Sequence, residues 1–182
     1  MLHFIAASGS AARRPKNPAT AESLAHAFAD WLKKSTLTDV AARPAASVFS
    51  IHDAVVTLDA TRASQLIRTG LSAGSVGELV VLLGLAKKED LSRALNANST
   101  SLWRWARDNK ALPGSAVEQI LRAMQLQLFA ADVFGGVEAA RKWLHKPHPV
   151  LEGMSPGDFA DNEFGAQKVR GMLAGLKYGG VA

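Results

Sequence analysis

Hydrophobic residues recur along this chain at the three- and four-residue spacing of amphipathic helices. The first such stretch is predicted to begin after Thr20, a suitable N-cap, and to end with Lys33 and Lys34, whose charges are favourable at a helix C-terminus. Its apolar side consists of Leu24, Phe28, Trp31 and Leu32. The pattern therefore predicts one amphipathic helix, followed by a proline-containing connector.

Capping residues and glycines divide the next part of the chain into short helices. Asp59 is predicted to cap a helix that Gly70 ends, and Ser75 is predicted to cap another that Gly84 ends. Residues 55–58 have the composition of a strand, but a lone short strand has no obvious partner. We therefore predict an all-α, multi-helix protein.

Two closely joined helices in the middle of the chain predict a helix-turn-helix unit. The first is Lys88–Leu95, Asn96 and Ala97 form a tight turn, and Asn98 caps a second helix that extends to Asn109. Such turns usually prefer glycine where this chain has Asn96, but asparagine tolerates the left-handed conformation. The sequence is therefore compatible with this motif.

The second helix of such a unit enters the major groove of DNA with its polar side, while its inner side is apolar. The inner side would consist of Leu91, Leu95, Leu102 and Ala106. The residues predicted to face DNA are Ser99, Thr100, Trp103, Arg104, Arg107 and Lys110. Arg104 is the best candidate for reading a base, because its guanidinium can pair bidentately with guanine. The alternative is an ordinary pair of bundle helices with a solvated polar face, and the lack of charge at Ser99 and Thr100 favours it.

A long helix is predicted from about Gly114 to Phe134. Its apolar residues are Val117, Ile120, Leu121, Met124, Leu128 and Ala131, enough for an interface as well as a core. A shorter helix, Val137–Leu144, follows, and we expect Trp105 and Trp143 to lie in the core.

The last helix is predicted from about Glu163 to Tyr178, capped by Asp161 or Asn162. Gly171, Gly175 and Gly179 recur along it four residues apart. Each glycine costs roughly 0.5–1 kcal/mol relative to alanine in a helix. A face kept bare at this cost is expected to let another backbone approach closely.

Composition excludes several classes of function. The chain has 21 Lys and Arg against 16 Asp and Glu, and this net charge of +5 permits nucleic-acid binding without requiring it. The absence of cysteine excludes disulfides, thiolate metal sites and thiol catalysis, and it fits a cytoplasmic protein. No apolar run is long enough to span a membrane, so no membrane partner is expected.

No pattern in the sequence supports catalysis. His145 and His148 lie in a proline-rich segment without a third ligand nearby, so we interpret them as solvated loop residues rather than zinc ligands. No phosphate-binding glycine loop, nucleophile elbow or HExxH motif is present. We therefore predict no enzymatic activity, no cofactor and no metal.

These patterns predict four parts of the chain. Residues 1–18 are a flexible tail, and residues 19–58 contain the first helix and a connector. Residues 59–133 contain the helix-turn-helix, with DNA binding and dimerisation as the expected roles. Residues 134–182 form a small helical C-terminal domain.

The C-terminal domain resembles a known family. The residues that carry the resemblance are Trp143-Leu144, Pro147, Pro149-Val150-Leu151, Gly153, Ser155-Pro156, Glu163-Phe164-Gly165 and the closing Tyr178-Gly179-Gly180-Val181. In this order they resemble the toxin-binding domain of Xre/MbcA/ParS-type antitoxins. The resemblance implies a homodimeric antitoxin that covers the active site of a RES-domain, NAD-consuming toxin encoded by a neighbouring gene. Many such proteins also repress their own operon through an Xre-type helix-turn-helix, so operator DNA is a second expected partner.

The resemblance places the toxin-binding residues at two positions. Trp143, Pro147, Pro149, Leu151 and Gly153 are expected to shape the toxin-facing surface. Lys177, Tyr178 and Gly179, with the C-terminus, are expected to form a plug. Two alternatives stay open: the same residues only complete a core, or the chain is a stand-alone DNA-binding repressor whose C-terminal domain dimerises or senses a ligand.

Overall fold

The computed structural model describes residues 18–36, 49–52 and 55–179, with side chains in 18–36 and 59–179. Most of the predicted tail, much of the connector and residues 180–182 lie outside these ranges. In the described residues the helices are α1 (Ala21–Ser35), α2 (Ala60–Thr69), α3 (Leu79–Leu82), α4 (Lys88–Ala94), α5 (Ser99–Arg107), α6 (Gly114–Val133), α7 (Val137–His145), α8 (Pro156–Phe159) and α9 (Glu163–Tyr178). Two 3-10 helices, Ala73–Glu78 and Pro149–Leu151, lie between them.

The all-α class is confirmed, with one small β element that the sequence argument missed. Strand β1 (Phe49–His52) pairs antiparallel with β2 (Val55–Leu58), so that Phe49 lies opposite Leu58. The expectation that residues 55–58 have no strand partner was therefore wrong. The partner lies in the predicted connector, where four residues are too few for a clear alternating pattern.

The predicted helix starts are confirmed by hydrogen bonds from the capping side chains. Thr20 Oγ1 accepts from the backbone N–H of Ser23 at 3.1 Å, and the Ser23 hydroxyl accepts in return from the Thr20 N–H at 3.0 Å. Asp59 caps α2 in the same way through the Arg62 N–H. Of the two candidates for α9, Asn162 is the cap, since its Oδ1 accepts from the Gly165 N–H at 3.0 Å.

The prediction for Ser75 was wrong. The segment before α3 begins as a 3-10 helix, and Ser72 caps it by accepting from the Gly74 N–H. The Ser75 hydroxyl lies 2.6 Å from that of Ser35, and the Ser75 carbonyl accepts from the indole N–H of Trp31. Ser75 therefore fastens this segment to α1 and does not start a helix.

Helix α6 is the centre of the core and packs against α1, α2, α7 and α9. The apolar residues predicted along one of its sides are all 2% exposed or less: Val117, Ile120, Leu121, Met124, Leu128 and Ala131. Other helices of the same chain cover this apolar side. The apolar surface that we expected to remain for an interface is therefore not exposed. Among the described residues, no helix combines the length and the apolarity needed to cross a bilayer.

Candidate functional site

The proline segment after α7 is a tight turn held by buried Leu151 and by Trp143, which lies at the edge of the core and not inside it as expected. The Trp143 ring is half-buried and lies 5.6 Å from the ring of Phe134, while Leu151 is fully buried. The His148 N–H donates to the Met154 carbonyl at 3.0 Å and closes the turn. Leu151 therefore supports the turn from inside and is not available to a partner, contrary to its predicted place on a binding surface.

The outer side of this turn is exposed. Pro147, Pro149 and Gly153 all lie at the surface, as a binding role requires. Two neighbouring apolar side chains that were not among the predicted contacts, Val150 and Met154, are 58% and 45% exposed. The turn thus combines a buried anchor with an apolar outer rim.

One face of α9 carries exposed aromatic side chains at its two ends. Phe164 is 86% exposed and Tyr178 is 63% exposed. Gly171 lies midway between them, seven residues from each, and a Cβ at Gly171 would meet no atom of the described residues within 4 Å. Since seven residues are close to two helical turns, all three lie on one face, over about 21 Å of helix. A groove of about 420 Å³ lies beside Phe164 and Gly171.

Phe164 was not among the predicted contact residues, although the sequence contains a signal for it. Val169 and Leu173 are fully buried and mark the core side of α9. Phe164 falls on the opposite side, in phase with Gly171, by the 3.6-residue period. The position of a large aromatic residue on the same side as the helix glycines could have identified Phe164 as a contact residue from the sequence.

Lys177 is bound within the chain. Its ammonium pairs with the carboxylate of Asp132 at the end of α6 and lies 5.7 Å from the centre of the Tyr178 ring. Lys177, predicted to be part of the plug, therefore connects α9 to α6 through this ion pair. Gly179 is exposed and ends the helix, and the residues after it lie outside the described part.

The predicted DNA-facing residues lie on α5, the second of two closely joined helices, except Lys110, because α5 ends at Arg107 and not at the predicted Asn109. Asn96 adopts the left-handed conformation, with φ of +46°, and the Asn98 side chain caps α5 through the Ser101 N–H. Leu91, Leu95 and Leu102 are buried, as expected for the inner side. These local expectations hold, while DNA binding by the pair stays a prediction.

The outward side of α5 is mostly polar and accessible. The exposed members of the predicted set are Ser99, Thr100, Arg104, Arg107 and Lys110. Trp103 is half-buried and has the Lys88 ammonium 5.8 Å from its ring centre. Trp105 is also half-buried, so it lies at the edge of the core rather than inside it.

Arg141 of α7 connects the C-terminal helices to the region before α4, and the predictions gave it no role. Its guanidinium donates to the backbone carbonyl of Val81, and its side chain lies over Gly84. Burial lowers the pKa of Arg141, an effect that the negative charge of Glu138 opposes. Gly84 has φ of +67° and no Cβ, so it supplies both the turn and the space that Arg141 occupies.

The exposed large apolar side chains are unevenly distributed along the chain. Of the six large apolar side chains that are exposed in the described residues, five lie between residues 150 and 178. No group of three or more His, Cys, Asp or Glu in the described ranges is placed to hold a metal.

Residues 129–179 match the family model of the antitoxin Xre/MbcA/ParS C-terminal toxin-binding domain. This part of the chain therefore belongs to that family of domains, which confirms the resemblance seen in the sequence. A toxin-binding domain implies a toxin as partner and the role of an antitoxin. A comparison with curated proteins finds no match for the chain.

Proposed function

We propose that this chain is the antitoxin of a type II toxin–antitoxin system that covers the active site of a RES-domain, NAD-consuming toxin. The observation that carries the proposal is the concentration of exposed large apolar side chains inside the matched domain. Such side chains gain free energy when a partner removes them from water, at roughly 25 cal/mol per Å² of apolar surface. An antitoxin that inhibits its toxin by covering the active site needs no catalytic residues of its own.

The face of α9 is the proposed centre of the toxin contact. Phe164 and Tyr178 are aromatic anchors of the type that dominates binding energy at interfaces. Between them Gly171 leaves open space in which a backbone segment of the toxin fits. Val150 and Met154, on the rim of the proline turn, are two further exposed apolar side chains of the matched domain.

The residues predicted as a plug take different roles in this proposal. Lys177 holds the last turn of α9 in place through Asp132, and Tyr178 with the chain end after it enters the toxin's cleft. Trp143 and Leu151 act indirectly, because they fix the shape of the turn that Pro147 and Pro149 expose.

Co-expression with the product of the neighbouring gene, followed by affinity purification, tests the proposal. We expect a stable complex and restored growth in cells that express the toxin. A truncation after Lys177 keeps the contact with Asp132, so it should fold and yet fail to restore growth. Full restoration by this truncated chain would exclude the plug, and the absence of any complex would exclude the antitoxin role.

Operon repression through α5 is the second part of the proposal. The exposed Arg104 and Lys110 provide charge for phosphate and base contacts, and Arg107 does so if it exchanges its 3.0 Å ion pair with Asp108 for a phosphate. A homodimer would present two copies of α5 to half-sites about 34 Å apart, one turn of DNA. Because other helices of the chain cover the apolar side of α6, we place the dimer contact on a different surface.

A stand-alone DNA-binding repressor that senses a ligand is the second candidate. A cleft of about 900 Å³ between α4 and the C-terminal helices favours it, since small-molecule sites have this size. A neighbouring gene for a RES-domain protein would support the antitoxin, whereas a metabolic operon would support the repressor.

A further inference from the structure

The outer side of α9, which we call the α9 face, is symmetric about its middle. By the helical period its members are Phe164, Gln167, Lys168, Gly171, Ala174, Gly175 and Tyr178. Phe164 and Tyr178, which are 86% and 63% exposed, lie seven residues before and seven residues after Gly171. Val169 and Leu173 lie on the opposite side of the helix and are fully buried. The α9 face therefore points away from the core and has an aromatic side chain at each end.

Small residues occupy the middle of the α9 face. Ala174 and Gly175 lie beside Gly171, and a Cβ at Gly171 would meet no described atom within 4 Å. Helices pack closer together when the residues at their contact are small. The groove of about 420 Å³ lies next to this flat part, beside Phe164 and Gly171. A second helix can therefore lie close along this face, with one of its side chains in the groove.

A second copy of α9 fits this face when the two helices run antiparallel and cross at Gly171. Phe164 of one copy then lies beside Tyr178 of the other, and the same contact recurs at the opposite end. The contact is self-complementary, as the interface of a two-fold dimer requires. Aromatic side chains that are buried in this way supply much of the binding free energy at interfaces.

The charges of the α9 face are compatible with this pairing. Lys168 is the charged residue of the face and, three residues before Gly171, lies opposite Gly175 of the second copy. The two Lys168 positions are then about 9 Å apart along the helix axes, at a rise of about 1.5 Å per residue. The pairing therefore brings no like charges into contact within the face.

The length of the α9 face limits the strength of such a dimer. The distance from Phe164 to Tyr178 is about 21 Å along the helix axis. Two helices in contact over this length bury roughly 1,000 Å² in total, which is at the low end of specific interfaces. We therefore expect a weak dimer, with a dissociation constant of about 10–100 µM. A weak self-contact leaves the face available to a partner that binds more tightly.

We propose that, in the absence of toxin, α9 pairs antiparallel with α9 of a second copy about a two-fold axis at Gly171. The same face is the proposed toxin contact, so the two partners exclude each other and the toxin displaces the second copy. The self-pairing does not depend on the proposed function, whereas the displacement rests on it.

Sedimentation equilibrium of the full chain between about 5 and 500 µM tests the self-pairing. We expect a monomer–dimer equilibrium in which Phe164→Ala raises the dissociation constant at least about tenfold. Leu176→Ala is the matched control, since Leu176 is 58% exposed on a different side of α9 and should leave the equilibrium unchanged. Both side chains are exposed, so neither variant should change the fold.

Cysteine substitutions test the antiparallel register, because the chain has no cysteine of its own. In the pairing Gln167 lies opposite Ala174 of the second copy, whereas each of them lies at least about 9 Å from its own counterpart along the helix axes. A mixture of Gln167→Cys and Ala174→Cys chains should therefore form a disulfide-linked dimer on oxidation, and neither chain alone should do so. In the control mixture Leu176→Cys replaces Ala174→Cys, and the chains should remain unlinked.

Three results would overturn the proposal. A chain that remains monomeric at about 500 µM would exclude the self-pairing, and the antitoxin role would still stand. An unchanged dissociation constant for Phe164→Ala, or no disulfide in the mixture of Gln167→Cys and Ala174→Cys, would remove the dimer contact from the α9 face. Normal toxin binding by the disulfide-linked dimer would exclude the displacement, because the toxin would then not use this face.

Discussion

The ammonium of Lys177, in the last turn of α9, is bound to the carboxylate of Asp132 near the end of α6, and their side chains are only 16% and 18% exposed. Two other contacts connect the same helices in the same order: Glu163 to Arg122 and Arg170 to Gln125. Helix α9 therefore runs alongside α6 in the same direction and is fastened along its length. This arrangement holds the exposed face of α9 in a fixed position.

Substitution of Lys177 by Met should destabilise the fold. It leaves the Asp132 carboxylate without this partner in a mostly buried place, and we expect a loss of about 2–3 kcal/mol. The double variant with Asp132→Asn should lose less than the sum of the two single variants, as measured by urea unfolding. Lys168→Met, at an exposed position of the same helix, is the control and should change little. Additive losses would contradict the pairing.

Phe164→Ala should impair toxin binding without affecting stability. Because the side chain is 86% exposed, its removal should change the free energy of unfolding by less than about 0.5 kcal/mol. Loss of an aromatic anchor should weaken the toxin complex at least about tenfold, measurable by calorimetry. Val81→Ala removes an exposed apolar side chain outside the matched domain and should bind normally. Normal binding by both variants would exclude Phe164 from the contact.

Gly171→Ala should raise stability and weaken toxin binding. A Cβ there meets no described atom, so alanine should stabilise α9 by about 0.5–1 kcal/mol through its helix propensity. If a toxin backbone lies against this glycine, the added methyl group obstructs it. Gly165→Ala provides the contrast, because its Cβ would collide with the Phe159 carbonyl oxygen and should destabilise the fold. A more stable Gly171→Ala that binds normally would show that the toxin does not approach this point.

Gly84→Ala should destabilise the connection between α3 and α7. Alanine is strained at φ of +67°, and its methyl group would displace the Arg141 side chain, at a total cost of about 1–3 kcal/mol. Gly77→Ala, with no described atom within 4 Å of the new Cβ, should change stability by less than about 0.5 kcal/mol. In chemical denaturation, combining Gly84→Ala with Arg141→Met should cost less than the sum of the two, because both disrupt one contact.

Alanine at both Arg104 and Arg107 should weaken binding to DNA from upstream of the gene. Each lost phosphate contact should reduce the slope of log K against log salt by about 1, and a lost base contact should reduce sequence preference. Arg68→Ala, at an exposed position on α2, is the matched control in a gel-shift titration. Unchanged binding by the double variant would exclude Arg104 and Arg107 from the DNA contact.

Local features of the sequence predicted the helices well, because the forces that start and stop a helix act within about four residues. Thr20, Asp59, Asn98 and Asn162 each cap a helix through the N–H three residues later. The family pattern in the C-terminal domain was also legible in the sequence, because its turn residues recur in a fixed order. The apolar side of α6 could also be predicted from the sequence. The pattern did not indicate how much of this side the other helices of the chain would cover.

Contacts between distant parts of the chain could not be derived in this way. The Trp31–Ser75 hydrogen bond spans 44 residues and the Lys177–Asp132 pair spans 45. The sequence by itself determined the all-α class, the positions of most helices and the family of the last domain, since these depend on local spacing. Only the tertiary structure decided that Lys177 is bound to Asp132 and that Arg141 reaches the Val81 carbonyl, because each depends on which helices pack together.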